Sequence, residues 1–335
     1  MIVQHACARA GLLGNPSDGY GGKTLSLTIG QLQATVRLRP QAELVICPGP
    51  DDQDRFGSLD EFCHRLERQG MYGGVRLLKA TLWRFADYCR GRHALPDGNF
   101  LLEYETEIPR GVGLAGSSAI VTATLRALAG FYELEFPPPI LASLALSVER
   151  DILGIPAGLQ DRVIQAFGGV VFMDFSDDSL QGEPGLEYGQ YEPLSATPPG
   201  CLFVAWADQA SQPTEVFHND LRARFDSGDR QVTAAMQEFA RLAEAGRTAW
   251  REGDATTLNR LINANFDLRA RICQLPESQV QMVERARQAG ASAKFCGSGG
   301  AIVGLARDSS HLASVGQHLE QGGYRWLTPR IVSSA

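Results

Sequence analysis

Three observations predict an α+β fold in two lobes. Leu102-Glu103-Tyr104-Glu105-Thr106-Glu107-Ile108 alternates apolar and acidic residues, the pattern of an antiparallel strand with one wet face. The second half of the chain reads as strand, helices, two strands, helix and strand. At 335 residues the chain is long for a single core. Residues 176–200, rich in Gly, Pro, Asp and Ser, form the natural boundary, which puts the lobes at 1–185 and 186–335.

The apolar run from Ala6 to Leu13 predicts the first strand, followed by a loop over 14–24 dense in Gly, Asn, Pro and Asp. Gly22-Lys23-Thr24 looks like the end of a P-loop, but Ser17 stands where that motif needs its first glycine. Short strands are predicted at 24–29, 32–38 and 43–47. Ser58 followed by Leu59-Asp60-Glu61 predicts a capped helix, and Val75, Leu78, Leu82, Phe85 and Cys89 predict another over about 74–90. After the acidic-faced strand come a glycine-rich turn, Pro109 to Ala119, and an apolar helix. Pro137-Pro138-Pro139 opens a helix to about Leu153, and Gly168-Gly169 precedes a strand to Phe175. The remainder predicts strand 201–207, helices over 213–251, 254–273 and 276–289, a glycine turn at 294–305 leading into a strand, helix 309–321 and strand 325–332.

Hydrophobic residues make up 44% and charged residues 21%, as in ordinary globular proteins. A net charge of −7 and no basic run argue against a nucleic-acid partner. Seven scattered cysteines without a CxxC predict reduced thiols, and the six histidines, His311 and His318 included, show no metal spacing. With no long apolar run, the expectation is a cytoplasmic protein without a membrane partner, monomeric or homodimeric.

The turn Pro109-Arg110-Gly111-Val112-Gly113-Leu114-Ala115-Gly116-Ser117-Ser118-Ala119 carries the chemistry. Glycines allow close approach of a ligand, and a helix N-terminus offers unpaired N–H groups and a positive dipole end. Strand, glycine turn and helix with two adjacent hydroxyls, Ser117 and Ser118, suit nucleotide phosphates and their metal. Gly111 to Gly116 also satisfies GxGxxG, with Glu133 and Glu135 near the distance for a ribose carboxylate. The acidic strand face and Pro109 argue against that dinucleotide reading. A glycine turn ahead of a core helix, with no ligand, is the third possibility.

Three glycine-rich turns in this order resemble the GHMP kinases, the family of galactokinase, homoserine kinase, mevalonate kinase and phosphomevalonate kinase. They are Arg9 to Thr24, Pro109 to Ala119 and Gly297-Ser298-Gly299-Gly300. Arg9, Gly14 and Asp18 are spaced as in galactokinase, although Gly14-Asn15-Pro16 replaces its Gly-Glu-His. The Gly11 to Asp18 run with Tyr20-Gly21-Gly22, and Ala157-Gly158-Leu159-Gln160-Asp161-Arg162, look like the glucuronokinase branch. The resemblance implies an N-terminal lobe like the second domain of ribosomal protein S5, a ferredoxin-like C-terminal lobe and an active site between them. It implies ATP and Mg2+ as cofactors, and phosphorylation of a sugar at its anomeric hydroxyl, with glucuronate the expected acceptor. Other acceptors of the family (galactose, arabinose, fucose, heptose phosphate) or a silent sugar-binding protein are the alternatives.

Carried over residue by residue, the resemblance makes Asp161 and Arg9 catalytic and Pro109 to Ala119 the nucleotide loop. Ser118 and Glu149 become metal ligands. Gly14, Asn15, Asp18, Tyr20, Lys23, Arg162, Gly297, Ser298 and Gly299 become acceptor-binding. Arg162 and Lys294 are the cations expected to meet a uronate carboxylate. Read without it, Asp161 is a helix cap, Asp18 an Asx turn, Lys23 a solvated lysine and Glu149 a surface carboxylate beside Arg150.

Overall fold

Strand β1 (Ile2–Leu13) and the long β2 (Lys23–Gln41) form the antiparallel pair on which the first lobe is built. They come from a computed structural model that describes residues 1–49, 73–207 and 215–333. The helix expected from Ser58 lies outside the described residues. The two strands predicted at 24–29 and 32–38 are one strand. The pairing steps from Cys7↔Gln33 to Ala8↔Ile29, so a bulge at Gly30, not a turn, separates them. A Cβ at Gly30 would sit 2.3 Å from a methyl of Val332, where the C-terminal segment crosses.

Along its other edge β2 pairs antiparallel with β4 (Asn99–Thr106) and β5 (Val170–Asp174). β3 (Val45–Ile46) joins β4 in parallel and β6 (Gln190–Leu194) joins β5. The acidic face of β4 is wet as expected: Glu103 pairs with Arg39 at 2.6 Å, and Glu105 with Arg37, on exposed side chains. β6 lies beyond residue 185 and still belongs to this sheet. Helices α1 (Gly74–Cys89), α2 (Gly116–Phe131), α3 (Pro138–Ser147) and α4 (Gln160–Phe167) cover it. A π-helical turn, Val148–Ile152, continues α3.

The second lobe is a four-stranded antiparallel sheet of β7 (Cys201–Ala207), β8 (Ser292–Phe295), β9 (Ala301–Ala306) and β10 (Tyr324–Leu327). Their order is β10-β7-β9-β8, the ferredoxin-like arrangement. The helical material expected over 213–251 forms α5 (Glu215–Asp226) and α6 (Arg230–Glu252). Asp229 separates them, its carboxylate accepting from the N–H groups of Gln231 and Val232 as the N-cap of α6. Next come α7 (Ala255–Ile272), α8 (Glu277–Gln288) and α9 (Ser309–Glu320). Alternation along β7 sends Leu202, Val204 and Trp206 into the core shared with the first lobe. Phe203 and Ala205 enter a second core with Met282, Val283 and Val315. The shared core fixes one lobe against the other.

Candidate active site

Among the described residues β1 pairs with β2 alone, and two glycine turns dock on its other edge. The Arg9 N–H donates to Leu114 O at 3.2 Å and the Gly11 N–H to Cys296 O at 2.8 Å. The Arg9 side chain draws a third segment to the same place. Its Nε donates to Asp161 Oδ1 at 2.6 Å, and its Nη1 to Gly113 O at 2.8 Å and Cys296 O at 3.1 Å. One nearly buried guanidinium thus joins strand β1, the 109–119 turn, the 297–300 turn and the start of α4. The turns touch so closely that a Cβ on Gly113 would lie 2.7 Å from Gly299 O, at a φ of +70°.

Asp161 lies in the first turn of α4 but does not cap it; Leu159 is the N-cap. Burial pushes its carboxyl up, but Arg9 and Arg162 outweigh that and hold it below the ordinary carboxylate value. Asp18, in a 3-10 turn at Ser17–Tyr20, faces the same place from the other side. A Cβ on Gly158 would come 2.1 Å from Asp18 Oδ2, so the carboxylate tip is tucked in although the residue is partly exposed. Burial and then the Asp161 charge push the Asp18 carboxyl up to about 6. A paired, ionised carboxylate and one that titrates near neutrality therefore face each other.

In the 109–119 turn, Val112 and Leu114 are buried anchors, while Gly111 and Ser117 are exposed and Pro109 partly so. Ala115 is the N-cap of α2, with φ 64° and ψ 41° and no side-chain cap, so the N–H groups of Gly116, Ser117 and Ser118 have no intrahelical acceptor. Ala119 N–H bonds back to Ala115 O at 3.1 Å. Ser118 is fully buried and donates to Ala115 O at 3.1 Å, whereas Ser117 Oγ donates to Glu149 Oε1 at 2.8 Å. The serine beside the expected metal carboxylate is therefore Ser117. Glu149 is not a surface residue: it is buried and paired with Arg162, whose Nε lies 2.7 Å from its Oε2. Arg150 pairs with Asp151 instead.

The other expected residues divide. The Gly14 N–H donates to Asn265 Oδ1 at 2.7 Å. Asn15 is buried, its Oδ1 accepting from Lys294 Nζ at 2.6 Å. Lys294 also donates to Gly11 O at 2.6 Å and Phe295 O at 2.8 Å, so it ties β1 to β8, and burial pulls its ammonium well below the usual lysine value. Lys23 bonds Glu244 at 2.8 Å and pairs with Asp174 at 3.1 Å. Tyr20 packs its ring on Phe225, with Arg222 over its face. Neither Lys23 nor Tyr20 hydrogen-bonds to Arg9, Asp18 or Asp161 among the described residues.

Two supporting residues went unseen in the sequence. Arg269 donates to Gly297 O at 2.6 Å and to Ser298 O at 2.9 Å, and Asn265 holds the Gly14-Asn15 backbone, its Nδ2 donating to Asn15 O at 3.2 Å. The signal was available: both lie on the buried stripe of α7 among Leu258, Leu261, Ile262 and Ile272, where polar residues need a reason.

Residues 76–169 match the GHMP kinases N terminal domain, and residues 240–325 the GHMP kinases C terminal domain. Glucuronokinase 1 of Arabidopsis thaliana is 45% identical over 312 residues, covering 90% of this chain and 84% of that protein. Probable glucuronokinase 2 of the same plant is 45% identical over 314 residues, with the same two coverages, 90% and 84%. Among solved structures, Lactococcus lactis galactokinase complexed with galactose superposes with a TM-score of 0.76 at 18% identity, covering 99% of this chain and 94% of that one, a likeness of fold. With the glycine turns gathered on Arg9 and Asp161, and with these matches over most of its length, the chain belongs to the GHMP kinase family.

Proposed function

We propose that this protein transfers the γ-phosphoryl group of ATP to the anomeric hydroxyl of glucuronate, giving glucuronate 1-phosphate and ADP. The observation that carries the reading is the Arg9–Asp161 pair, which stands where the phosphate turn, the acceptor turn with Asp18 and the C-terminal glycine turn meet. In phosphoryl transfer the protein mainly positions groups and neutralises charge. The N–H groups of Gly116 to Ser118, which lack an intrahelical acceptor, and the α2 dipole receive phosphate oxygens. Asp18 accepts from sugar hydroxyls.

Asp161 accepts from the anomeric hydroxyl and orients its oxygen toward phosphorus. As the new O–P bond forms, the bond to the ADP oxygen breaks and the hydroxyl proton passes to Asp161. Because Arg9 and Arg162 keep Asp161 ionised, it orients well and pulls weakly as a base. Ser117 Oγ and the Glu149 carboxylate, 2.8 Å apart at the start of α2, are the hard oxygen pair that suits Mg2+. Bound there, Mg2+ would offset charge on the phosphates. Glucuronate is favoured over a neutral sugar by the two glucuronokinases, each 45% identical over 90% of the chain. A cytoplasmic location suits a reaction that consumes ATP.

The test is ADP release from ATP and Mg2+ with a panel of free sugars, with Asp161→Ala as control. Turnover on glucuronate that is lost in the variant supports the reading. Turnover on neutral sugars alone overturns the choice of acceptor, and no turnover on any sugar overturns the sugar-kinase assignment.

A further inference from the structure

Arg162 stands between two carboxylates with different tasks. On one side its Nε donates to Glu149 Oε2 at 2.7 Å, and its Nη2 to the same oxygen. On the other side its Nη1 donates to Gly158 O at 2.8 Å and lies 3.6 Å from Asp161 Oδ2. Glu149 is wholly buried, and Arg162 is its one cationic partner among the described residues. A buried carboxylate needs a positive partner, and removing that partner is costly. A divalent cation at Ser117 Oγ and Glu149 Oε1 would sit on the carboxylate whose other oxygen, Oε2, Arg162 holds, so metal and guanidinium compete for one buried negative charge.

We infer that Arg162 is an exchangeable counter-ion. It neutralises Glu149 while no metal nucleotide is bound, and releases it when Mg2+ and nucleotide arrive. Anchored at Gly158 O, the freed guanidinium turns to the acceptor side, beside Asp161 and Asp18, and there becomes a positioning residue for an anionic sugar. Nucleotide binding and recognition of the acceptor's carboxylate are thereby coupled through one side chain. The inference rests on the kinase reading above.

The test is a melting series with Mg2+ alone. Wild type is expected not to respond, because Arg162 already serves Glu149. Arg162→Met is expected to melt several degrees lower and to recover with Mg2+. The double variant Arg162→Met/Glu149→Gln is expected to recover without metal and to ignore it. A wild type that responds to Mg2+ as strongly as Arg162→Met, or an Arg162→Met that ignores Mg2+, overturns the exchange. Should Arg162→Met not fold, the 15N resonance of the Arg162 Nε–H in wild type decides. It is expected to shift with Mg2+ and a non-hydrolysable ATP analogue, but not with the analogue in EDTA.

Calorimetry of glucuronate binding should show a several-fold gain from the Mg2+–analogue complex. A shifted resonance with no gain overturns the acceptor-side role. An unmoved resonance while calorimetry registers analogue binding overturns this inference alone. No analogue binding at all overturns the kinase reading with it.

Discussion

Asp18 and Asp161 make opposite predictions about pH. Asp161 is held below its ordinary value, so its pairing stabilises the fold above that value and the benefit is lost as pH falls through the depressed one. Asp18 titrates at about 6, above the ordinary value of 3.8, so ionising it costs the folded state. Its contribution is most favourable at acid pH and declines as pH rises from about 4 through 6. In the proposed function the ionised Asp18 accepts from the sugar, so kcat/KM for glucuronate should rise through about pH 6. Asp18→Asn should flatten that limb at a lower level; a limb that persists in the variant would rule out Asp18 as its source. Asp161→Asn should lower kcat by about a hundredfold or more and also lower the melting temperature, because it takes the charged partner from the nearly buried Arg9. Ala115, at a φ of 64°, is the non-glycine residue at the hinge of the phosphate turn, and Ala115→Gly should raise the urea midpoint by the equivalent of about 1 kcal/mol. Motif spacing made Arg9, Asp18 and Asp161 legible in the sequence. The Ser117–Glu149 contact was not, because neighbouring serines differ only in which way the helix start turns them.

At the scale of elements, α7 holds the Gly14-Asn15 and Gly297-Ser298 turns through Asn265 and Arg269. Arg269→Met would remove two hydrogen bonds, those to Gly297 O and Ser298 O. Stability should fall by about 1–3 kcal/mol by urea unfolding, with KM rising more than kcat falls. An unchanged KM would mean that the 297–300 turn holds its shape without Arg269. The helix pattern of this region was readable from apolar spacing, and α7 falls within one residue of its expected ends. What Asn265 and Arg269 reach was not readable, since their partners lie 250 and 28 residues away. The long β2 was read as two strands for a related reason. Gly30 carries an ordinary turn signal, and only the crossing of Val332 makes it a bulge within a continuous strand.

For the whole molecule, ligand that binds only the folded state raises the melting point. ATP with Mg2+ at a hundred times its Kd should add about 2.7 kcal/mol, whereas NAD should add nothing. The reverse result would favour the dinucleotide reading of Gly111 to Gly116. Gly113→Ala should abolish the ATP shift, since its Cβ would drive into Gly299 O and separate the two turns.

The sequence by itself determined the fold class, the family, the three glycine turns and the residue types fit for phosphoryl transfer, because period, turn chemistry and motif spacing are local properties. Tertiary structure alone decided which side chains share charge. Arg162 meets Glu149 and not a free carboxylate, Lys23 meets Glu244 and Asp174, and Lys294 is sealed between β1 and β8. A charge has no period along the chain; its partner is set by which distant backbones the shared core brings within hydrogen-bond reach.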